Sequence, residues 1–225
     1  RWAVIGVVCV VAAELYVGTF AAVNRAAGSP AVIWPEPEWL AVLRDEPELG
    51  RVDPGFLFFV NMGEAYDLES VRGITPLKPQ VLEDMEGRLI LSQLWPLLNV
   101  THGVFVGEAP EDVAATKVAD VDESLIPGEA IDAGLYRFEE ARPRVWLSTR
   151  PVVVGDEAAA LDAIADLAFD PAVQVVVLEE TAALYMVEPT DGVGTVVVER
   201  PRDGLLDITI DTPSAAYVVI SEWYM

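Results

Sequence analysis

The sequence predicts an α+β fold preceded by one transmembrane helix. Three observations support this class: a long apolar run at the start, a central region that mixes helical spacing with short strands, and a last part with strand patterns only. We therefore expect a transmembrane helix at residues 1–24, a mixed α/β extracytoplasmic domain at residues 25–182, and a β-rich, sandwich-like C-terminal part at residues 183–225.

The apolar run extends from Trp2 to Val23 and contains one charged residue, Glu14. As a helix it would be about 33 Å long, against a hydrocarbon core of about 30 Å. Arg1 on its flank favours the cytoplasmic side, which predicts that residues after about 24 are extracytoplasmic. A carboxylate near the bilayer centre costs about 2.5–3.5 kcal/mol unless it faces other helices. A buried helix of a soluble domain and a signal peptide are the two other interpretations of this run.

Composition excludes several classes of function. The chain has 225 residues and a net charge of -23, from 37 acidic and 14 basic residues. Such a charge argues against a nucleic-acid partner and against adsorption to anionic headgroups. A halophilic or GC-rich source would explain this charge at least as well as a functional role. Cys9 is the only cysteine and His102 the only histidine, so neither an intrachain disulfide nor a His-rich metal site is predicted.

The central region shows three helical patterns among short strands. Apolar spacing predicts helices over residues 36–46, 79–94 and 157–168, the second broken at Trp95-Pro96 and the third capped by Asp156. Strands are predicted at residues 51–52, 56–60, 100–106, 116–121, 135–138, 145–148, 152–154 and 173–178. We expect residues 135–138 to pair with residues 145–148 around the turn at 140–143.

The last part contains only short strands with turn residues between them. Strands are predicted at residues 184–187, 193–200, 205–211 and 216–221, with turns at Asp191-Gly192 and Asp203-Gly204. In the third of these strands, apolar residues alternate with polar ones, which indicates one buried and one wet face.

Six segments carry a resemblance to a known family. They are WPEPEWLAVLRDEPELGRV, EAYDLESVRGITPL, LWPLLNVTHGVF, LYRFEEARPRVWLSTRPVVV, DPAVQVVVLE and VVISEWYM. In this order they resemble the bacterial membrane protein YfhO family, whose large polytopic members are similar to the GT-C class of glycosyltransferases. The resemblance covers nearly the whole chain, and it departs from the family pattern at Ile74-Thr75.

The resemblance implies that the parent protein is a cell-membrane glycosyltransferase. It would transfer a sugar from a polyprenyl-phosphate carrier to a cell-envelope glycan acceptor. The catalytic acid and the carboxylates for a divalent metal would lie upstream of this chain. The chain itself would then hold no catalytic, cofactor or metal residue and would act in acceptor recognition or scaffolding.

Candidate substrate-binding residues are Tyr66, Asp67, Arg72 and Arg144. Asp67 could bind a divalent ion together with Glu69 and a substrate phosphate. The alternative is a turn held by a hydrogen bond between Asp67 and Arg72.

Two arginines follow near the centre of the chain. Arg142 and Arg144 carry guanidinium groups that match phosphate or glycan, although structural ion pairing is the alternative in so acidic a chain. Sugar stacking or core packing is expected of Trp34, Trp39, Trp95, Trp146, Trp223 and Tyr224. His102 is expected to be a satisfied strand residue.

Two rival functions remain open. One is a non-catalytic, membrane-tethered module whose C-terminal β part binds a carbohydrate or a partner. The other is a free-standing soluble protein whose first helix belongs to the core.

Overall fold

A computed structural model describes residues 36–46, 50–55, 66, 68–71, 79–121, 132–189, 194–202 and 205–222. The fold is mixed α/β and consists mostly of sheets. The chain forms two compact units, Arg1–Ala41 and Val42–Met225. The predicted transmembrane segment lies outside the described residues, and none of the described helices is long and apolar enough to cross a bilayer.

The described elements alternate between short helices and strands. In chain order they are α1 (Leu40–Arg44), β1 (Arg51–Asp53), α2 (Gln80–Arg88), α3 (Leu91–Leu97), β2 (Val100–Val106), β3 (Ala115–Val121), β4 (Ala133–Phe138), β5 (Val145–Ser148), β6 (Arg150–Val154), α4 (Glu157–Ala165), β7 (Gln174–Leu178), α5 (Glu179–Tyr185), β8 (Thr195–Arg202), β9 (Leu205–Asp211) and β10 (Tyr217–Ile220).

The largest described sheet has four strands in the order β1-β2-β4-β3. β1 runs parallel to β2, while β4 runs antiparallel to both β2 and β3. Three two-stranded sheets complete the described part: antiparallel β5 and β10, parallel β6 and β7, and the antiparallel hairpin of β8 and β9. Helix α4 provides the crossover that parallel strands β6 and β7 require.

The core centres on Trp95 of α3, whose exposure is 2%. Its ring stacks on Phe138 at a centroid distance of 4.3 Å and lies 5.6 Å from Phe105. Its indole Nε1 donates a hydrogen bond to the Asp53 carboxylate at 3.2 Å. Trp95 therefore joins helix α3 to the four-stranded sheet through both apolar and polar contacts.

The prediction of one helix over residues 79–94 that breaks at Trp95-Pro96 is wrong, because the break lies earlier and divides the segment into α2 and α3. The chain becomes extended at Leu89 and Ile90, and α3 then runs through Pro96 to Leu97. Pro96 lacks only one helical donor, whereas α3 buries Leu94 and Trp95, and this burial outweighs one lost hydrogen bond.

Two other strand predictions are wrong. Residues 184–187 were expected to form a strand, but helix α5 extends to Tyr185. Glu179 and Glu180 lie in its first turn, where acidic side chains favour a helix. Strands β4 and β5 do not pair with each other, because β4 lies between β2 and β3, and β5 pairs with β10. Long-range pairing thus overrides the local turn.

Other predictions are confirmed. Strands β2 and β9 have the predicted bounds. Asp156 caps α4 by accepting a hydrogen bond from the Ala159 amide at 2.8 Å. The predicted first helix is shorter than expected and covers Leu40–Arg44. The predicted strand at residues 56–60 lies outside the described residues.

Candidate functional site

The structure describes two of the four predicted substrate-binding residues. Tyr66 is buried, and Arg144 lies immediately before β5. Asp67 and Arg72 lie outside the described residues. The proposed Asp67–Glu69 metal pair and the alternative Asp67–Arg72 turn therefore stay predictions.

Arg144 belongs to an ionic cluster formed by Arg51, Glu69, Arg144 and Glu222. Its guanidinium pairs with both Glu69 and Glu222, and its Nε donates to Glu222 Oε1 at 2.6 Å. Arg51 Nη2 donates to Glu222 Oε2 at 3.1 Å, and Arg51 Nε lies 3.9 Å from Glu69 Oε2. Two guanidinium groups thus face two carboxylates, and their charges cancel.

Backbone contacts hold the ionic cluster in place. Arg51 Nη1 donates to the Leu98 carbonyl at 2.8 Å and to Ser221 Oγ at 3.0 Å. Ser221 Oγ donates in turn to the Leu97 carbonyl at 2.8 Å, and the Ser221 amide donates to the Arg144 carbonyl at 2.8 Å. The ionic cluster therefore ties the end of α3 to β1, to the start of β5 and to the chain after β10.

The electrostatics of Arg144 favour a structural role. Burial acts to lower its pKa, but hydrogen bonds to Glu69 and Glu222 outweigh burial and raise the pKa above the ordinary arginine value. The guanidinium is therefore charged, and its side chain is only 14% exposed. This geometry matches structural ion pairing, the alternative named for Arg144 from the sequence.

A cleft of about 570 Å³ is lined by α3, residues 139–142 and residues 164–171. Its polar lining includes Glu139, Glu140, Arg142 and Asp170. Its apolar lining includes Ile164, Leu167 and Phe169. The cleft therefore combines hydrogen-bonding groups with apolar surface, as ligand sites in proteins commonly do.

Local hydrogen bonds define the shape of the cleft. Gln93 Nε2 donates to the Ala165 carbonyl at 3.0 Å and joins α3 to the end of α4. Asn99 Nδ2 donates to the Arg142 carbonyl at 2.6 Å and fixes that loop. The Arg142 side chain, 34% exposed, lies 3.5 Å from the Asp170 carboxylate. Unlike Arg144, Arg142 keeps an accessible guanidinium.

The two glutamates of the cleft differ in their partners. Glu139 Oε1 accepts a hydrogen bond from Thr116 Oγ1 at 3.0 Å. Glu140 is exposed and has no hydrogen-bond or ion-pair partner in the part of the chain that the structure describes. Glu140 is thus an available acceptor at the cleft.

The other candidates are buried or not described. Trp39, Trp95 and Trp146 are all buried, which fits core packing better than sugar stacking. Trp34, Trp223 and Tyr224 lie outside the described residues. The described residues contain no group of His, Cys, Asp or Glu arranged to hold a metal ion.

His102 is a buried residue of β2 and is only partly satisfied. Its Nδ1 lies 3.1 Å from Thr101 Oγ1, while Nε2 has no hydrogen-bond partner among the described residues and lies 3.9 Å from Glu46 Oε1. Burial lowers the His102 pKa; Glu46 acts to raise it, and Arg137 lowers it further. His102 is thus a strand residue, as predicted, but only its Nδ1 is satisfied among the described residues.

Sequence patterns did not identify most of the residues in these two regions. Arg51 and Glu222 of the ionic cluster are 171 positions apart, so no local pattern joins them. Phe169 and Asp170 of the cleft follow the predicted helix over residues 157–168, and Glu140 lies in the predicted turn at residues 140–143, so neither pattern marked them as site residues. No known protein family, curated protein or solved structure matches this chain.

Proposed function

We propose that this chain is the extracytoplasmic domain of a polytopic membrane glycosyltransferase that uses a polyprenyl-phosphate-linked sugar. Its role is to recognise the cell-envelope glycan acceptor, and catalysis, with any divalent metal, belongs to the parent protein upstream. The resemblance of the six segments to the YfhO family motivates the parent class. The cleft beside Arg142 is the observation that carries the recognition role.

The size and lining of the cleft support glycan recognition. Its volume of about 570 Å³ falls within the roughly 300–1,000 Å³ typical of small-ligand sites. Arg142 can donate hydrogen bonds to hydroxyl groups, and the acidic side chains can accept them. Phe169 offers an aromatic surface for the apolar face of a sugar ring.

The ionic cluster supports the scaffolding part of the same role. Arg51 and Arg144 already bind carboxylates of the chain, so the cluster fixes the segment that leads to Arg142 rather than presenting a cation to substrate. In this proposal the ionic cluster positions the segment that leads to Arg142, and the cleft binds the glycan.

The finer architecture belongs to the same proposal. Residues 1–24 would span the cell membrane, with the rest extracytoplasmic, and residues 183–225 would contribute to a sandwich-like β part. Protease protection in sealed vesicles tests this topology. Cleavage within residues 25–225 from the outside supports it, and complete protection of these residues contradicts it.

Glycan binding tests the proposed recognition role. The whole chain is titrated with cell-envelope glycan fragments and, separately, with polyprenyl-phosphate-linked sugar, and binding is measured by calorimetry. We expect glycan binding, and an approximately tenfold loss in Arg142→Ala, because a hydrogen bond to a charged group contributes about 1.5–3 kcal/mol.

Arg88→Ala is the matched control for this experiment. Arg88 forms an exposed ion pair with Asp162 at 2.5 Å and does not line the cleft. We expect Arg88→Ala to bind glycan like the unmodified chain. Equal losses in Arg88→Ala and Arg142→Ala, or no glycan binding by the unmodified chain, would contradict acceptor recognition at the cleft.

A second candidate is a membrane-tethered module that binds a protein partner through its C-terminal β part. Exposed apolar residues on the last three strands favour it: Val197, Leu205, Ile210 and Val218 are each between 38% and 56% exposed. Further membrane spans encoded in the same reading frame upstream would favour the glycosyltransferase. A start codon directly before Arg1 would favour the tethered module.

A further inference from the structure

We propose that Asn99 positions Arg142 for glycan binding, and that the strained backbone of Asn99 is retained because it brings the side-chain amide to the Arg142 loop. This inference rests on the proposed acceptor recognition and specifies how the recognising arginine is held. It is carried by a buried residue with a positive φ and by the hydrogen bonds that join this residue to the ionic cluster and to the cleft.

Asn99 lies between α3 and β2 in a backbone conformation that most residues avoid. Its φ is +54°, the one positive φ among the non-glycine residues that the structure describes. The left-handed region is unfavourable for L-residues because Cβ approaches the following carbonyl oxygen. Residues held there by their surroundings cluster at functional sites. The conformation of Asn99 therefore points to a role beyond joining a helix to a strand.

The side-chain amide of Asn99 reaches the loop that carries Arg142. Its Nδ2 donates to the Arg142 carbonyl at 2.6 Å, across 43 positions of sequence. The next residue, Pro143, has no backbone N–H with which to tether the loop. The side chain of Arg142 lines the cleft, so fixing its carbonyl restricts where its guanidinium can lie.

The backbone of Asn99 is bound to the ionic cluster. Its carbonyl accepts a hydrogen bond from the Arg51 amide at 2.8 Å, and Arg51 pairs with Glu222 in that cluster. Its amide donates to the Pro96 carbonyl at 3.3 Å, at the end of α3. Asn99 thus connects the ionic cluster to the cleft through the hydrogen bonds of one residue.

Gly50 leaves the space that this arrangement needs. A Cβ at Gly50 would lie 2.5 Å from the Asn99 carbonyl oxygen and 2.9 Å from Asn99 Nδ2. Both distances are shorter than non-bonded atoms allow, so a larger residue at this position would displace Asn99. The close approach of Gly50 therefore holds both groups of Asn99 that make the connection.

The residues Asn99-Val100-Thr101 also match the acceptor pattern for N-glycosylation. Modification would occur at Nδ2, which is the atom that donates to the Arg142 carbonyl. Asn99 is only 5% exposed, and its amide is enclosed in the fold. Positioning of the loop explains this residue, and attachment of a glycan does not.

Two requirements together select asparagine at position 99. The backbone needs a residue that tolerates a positive φ, which favours glycine, asparagine and aspartate. The bond to the Arg142 carbonyl needs a short side chain with an N–H donor, which glycine and an ionised aspartate lack. Asn99→Gly and Asn99→Asp therefore keep the backbone conformation and remove the donor.

Calorimetry on the whole chain tests this role with a neutral hexasaccharide of N-acetylhexosamine, one of the glycan fragments of the recognition experiment. We expect Asn99→Gly to bind it about threefold more weakly, because the loop loses one neutral hydrogen bond. Its urea midpoint should stay close to that of the unmodified chain, because glycine relieves the backbone strain. Asn99→Asp, which keeps the size of the side chain, should show a similar loss of affinity.

A double-mutant cycle shows whether Asn99 acts through Arg142. With the guanidinium already absent in Arg142→Ala, we expect Asn99→Gly to cause no further loss of affinity. Tyr136→Phe is the matched control. It removes a hydrogen bond of 2.7 Å from a buried side chain to the Gly107 carbonyl, and neither residue lines the cleft. We expect Tyr136→Phe to bind like the unmodified chain.

NMR relaxation of the Arg142 Nε–Hε bond measures the positioning without any glycan. We expect the order parameter of this bond to fall in Asn99→Gly, because the loop has lost its tether. The order parameter of the Arg144 Nε–Hε bond should stay unchanged, because Glu69 and Glu222 hold that side chain directly.

Each outcome decides a different claim. If the unmodified chain does not bind the hexasaccharide, acceptor recognition is overturned, and the role of Asn99 in binding falls with it. If the unmodified chain binds and Asn99→Gly binds equally well, only the positioning role is overturned. An equal loss from Asn99→Gly with and without Arg142, or an unchanged order parameter at Arg142, overturns the positioning role and leaves acceptor recognition standing.

Discussion

Arg142 and Arg144 are two positions apart in the sequence, yet they belong to regions with opposite properties. Arg144 forms part of the ionic cluster, is 14% exposed, and pairs with two glutamates. Arg142 lines the cleft, is 34% exposed, and lies 3.5 Å from one aspartate. The comparison shows that charge alone does not make an arginine of an acidic chain a ligand-binding residue. Whether it can bind a ligand depends on the hydrogen-bond donors that its partners in the chain leave accessible.

Helix α3 supports both regions. Its Gln93 and Pro96 line the cleft, while the Leu97 carbonyl accepts a hydrogen bond from Ser221 beside the ionic cluster. Trp95, between them in sequence, packs into the core. The two regions therefore share one support and differ in what their side chains face.

The largest expected effect comes from removing that shared support. Trp95→Ala deletes a ring that stacks on Phe138 and leaves the Asp53 carboxylate without the indole donor. We expect a loss of about 3–5 kcal/mol in the free energy of unfolding, measured by urea denaturation. Glycan affinity should fall as well. A stable Trp95→Ala chain with unchanged affinity would show that α3 does not support the two regions.

The next effect separates the two arginines. Arg144→Ala removes a guanidinium that pairs with both Glu69 and Glu222, and breaking a buried ion pair typically costs about 3–5 kcal/mol. Since Arg144 keeps some exposure, we expect about 3 kcal/mol by urea denaturation. Arg142→Ala should cost less than about 1 kcal/mol, as exposed ion pairs do. Equal losses of stability in the two variants would contradict the division of roles, in which Arg144 stabilises the fold and Arg142 serves the cleft.

The two glutamates of the ionic cluster sharpen this further. Glu222 pairs with both arginines and its side chain is 25% exposed, whereas that of Glu69 is 37% exposed. We expect Glu222→Gln to cost about 2 kcal/mol of unfolding free energy. Glu69→Gln should cost less than about 1 kcal/mol because solvent screens its charge. A larger loss in Glu69→Gln would show that Glu69, rather than Glu222 in the chain after β10, holds the arginines in place.

The smallest effect concerns His102, which belongs to neither region and makes the stability of the chain depend on pH. Folded His102 has a lowered pKa and binds a proton less readily than the unfolded chain, whose value is about 6.5. Its contribution to stability is therefore complete above pH 6.5 and declines as the pH falls below it. When the pH is lowered from 7.5 to 5.5, we expect the free energy of unfolding of the unmodified chain to fall by up to about 1 kcal/mol more than that of the His102→Gln variant.

Urea midpoints at the two pH values check this expectation. Because each chain is compared with itself, any loss of stability from the substitution alone cancels. His102 is the only histidine, so no other imidazole contributes. An equal pH dependence in both chains would mean that burial does not hold His102 neutral.

The sequence predicted the local elements better than their pairing. Strand β2 and the cap at Asp156 follow from short-range alternation and capping chemistry, and both are present. The pairing of β5 with β10 depends on residues about 70 positions apart, as in Trp146 with Val219. Periodicity gives the faces of a strand but contains no information about its neighbour.

The candidate site was predictable only in part, for the same reason. The acidic composition favoured ion pairing for Arg144, but its partners come from a loop 75 positions earlier and a chain segment 78 positions later. The cleft brings residues 139–142 against residues 164–171 by the packing of α3 and α4. No spacing motif records such a surface, since only the tertiary fold assembles it.

Arginine side-chain spectroscopy tests most directly whether Arg142 contacts the glycan while Arg144 has a structural role. The Nε–Hε resonances of Arg142 and Arg144 are followed by NMR while a neutral hexasaccharide is added to the whole chain. The division predicts that the Arg142 resonance shifts in proportion to binding, while that of Arg144, held by Glu69 and Glu222, stays in place. A shift of Arg144 with Arg142 unmoved would contradict it.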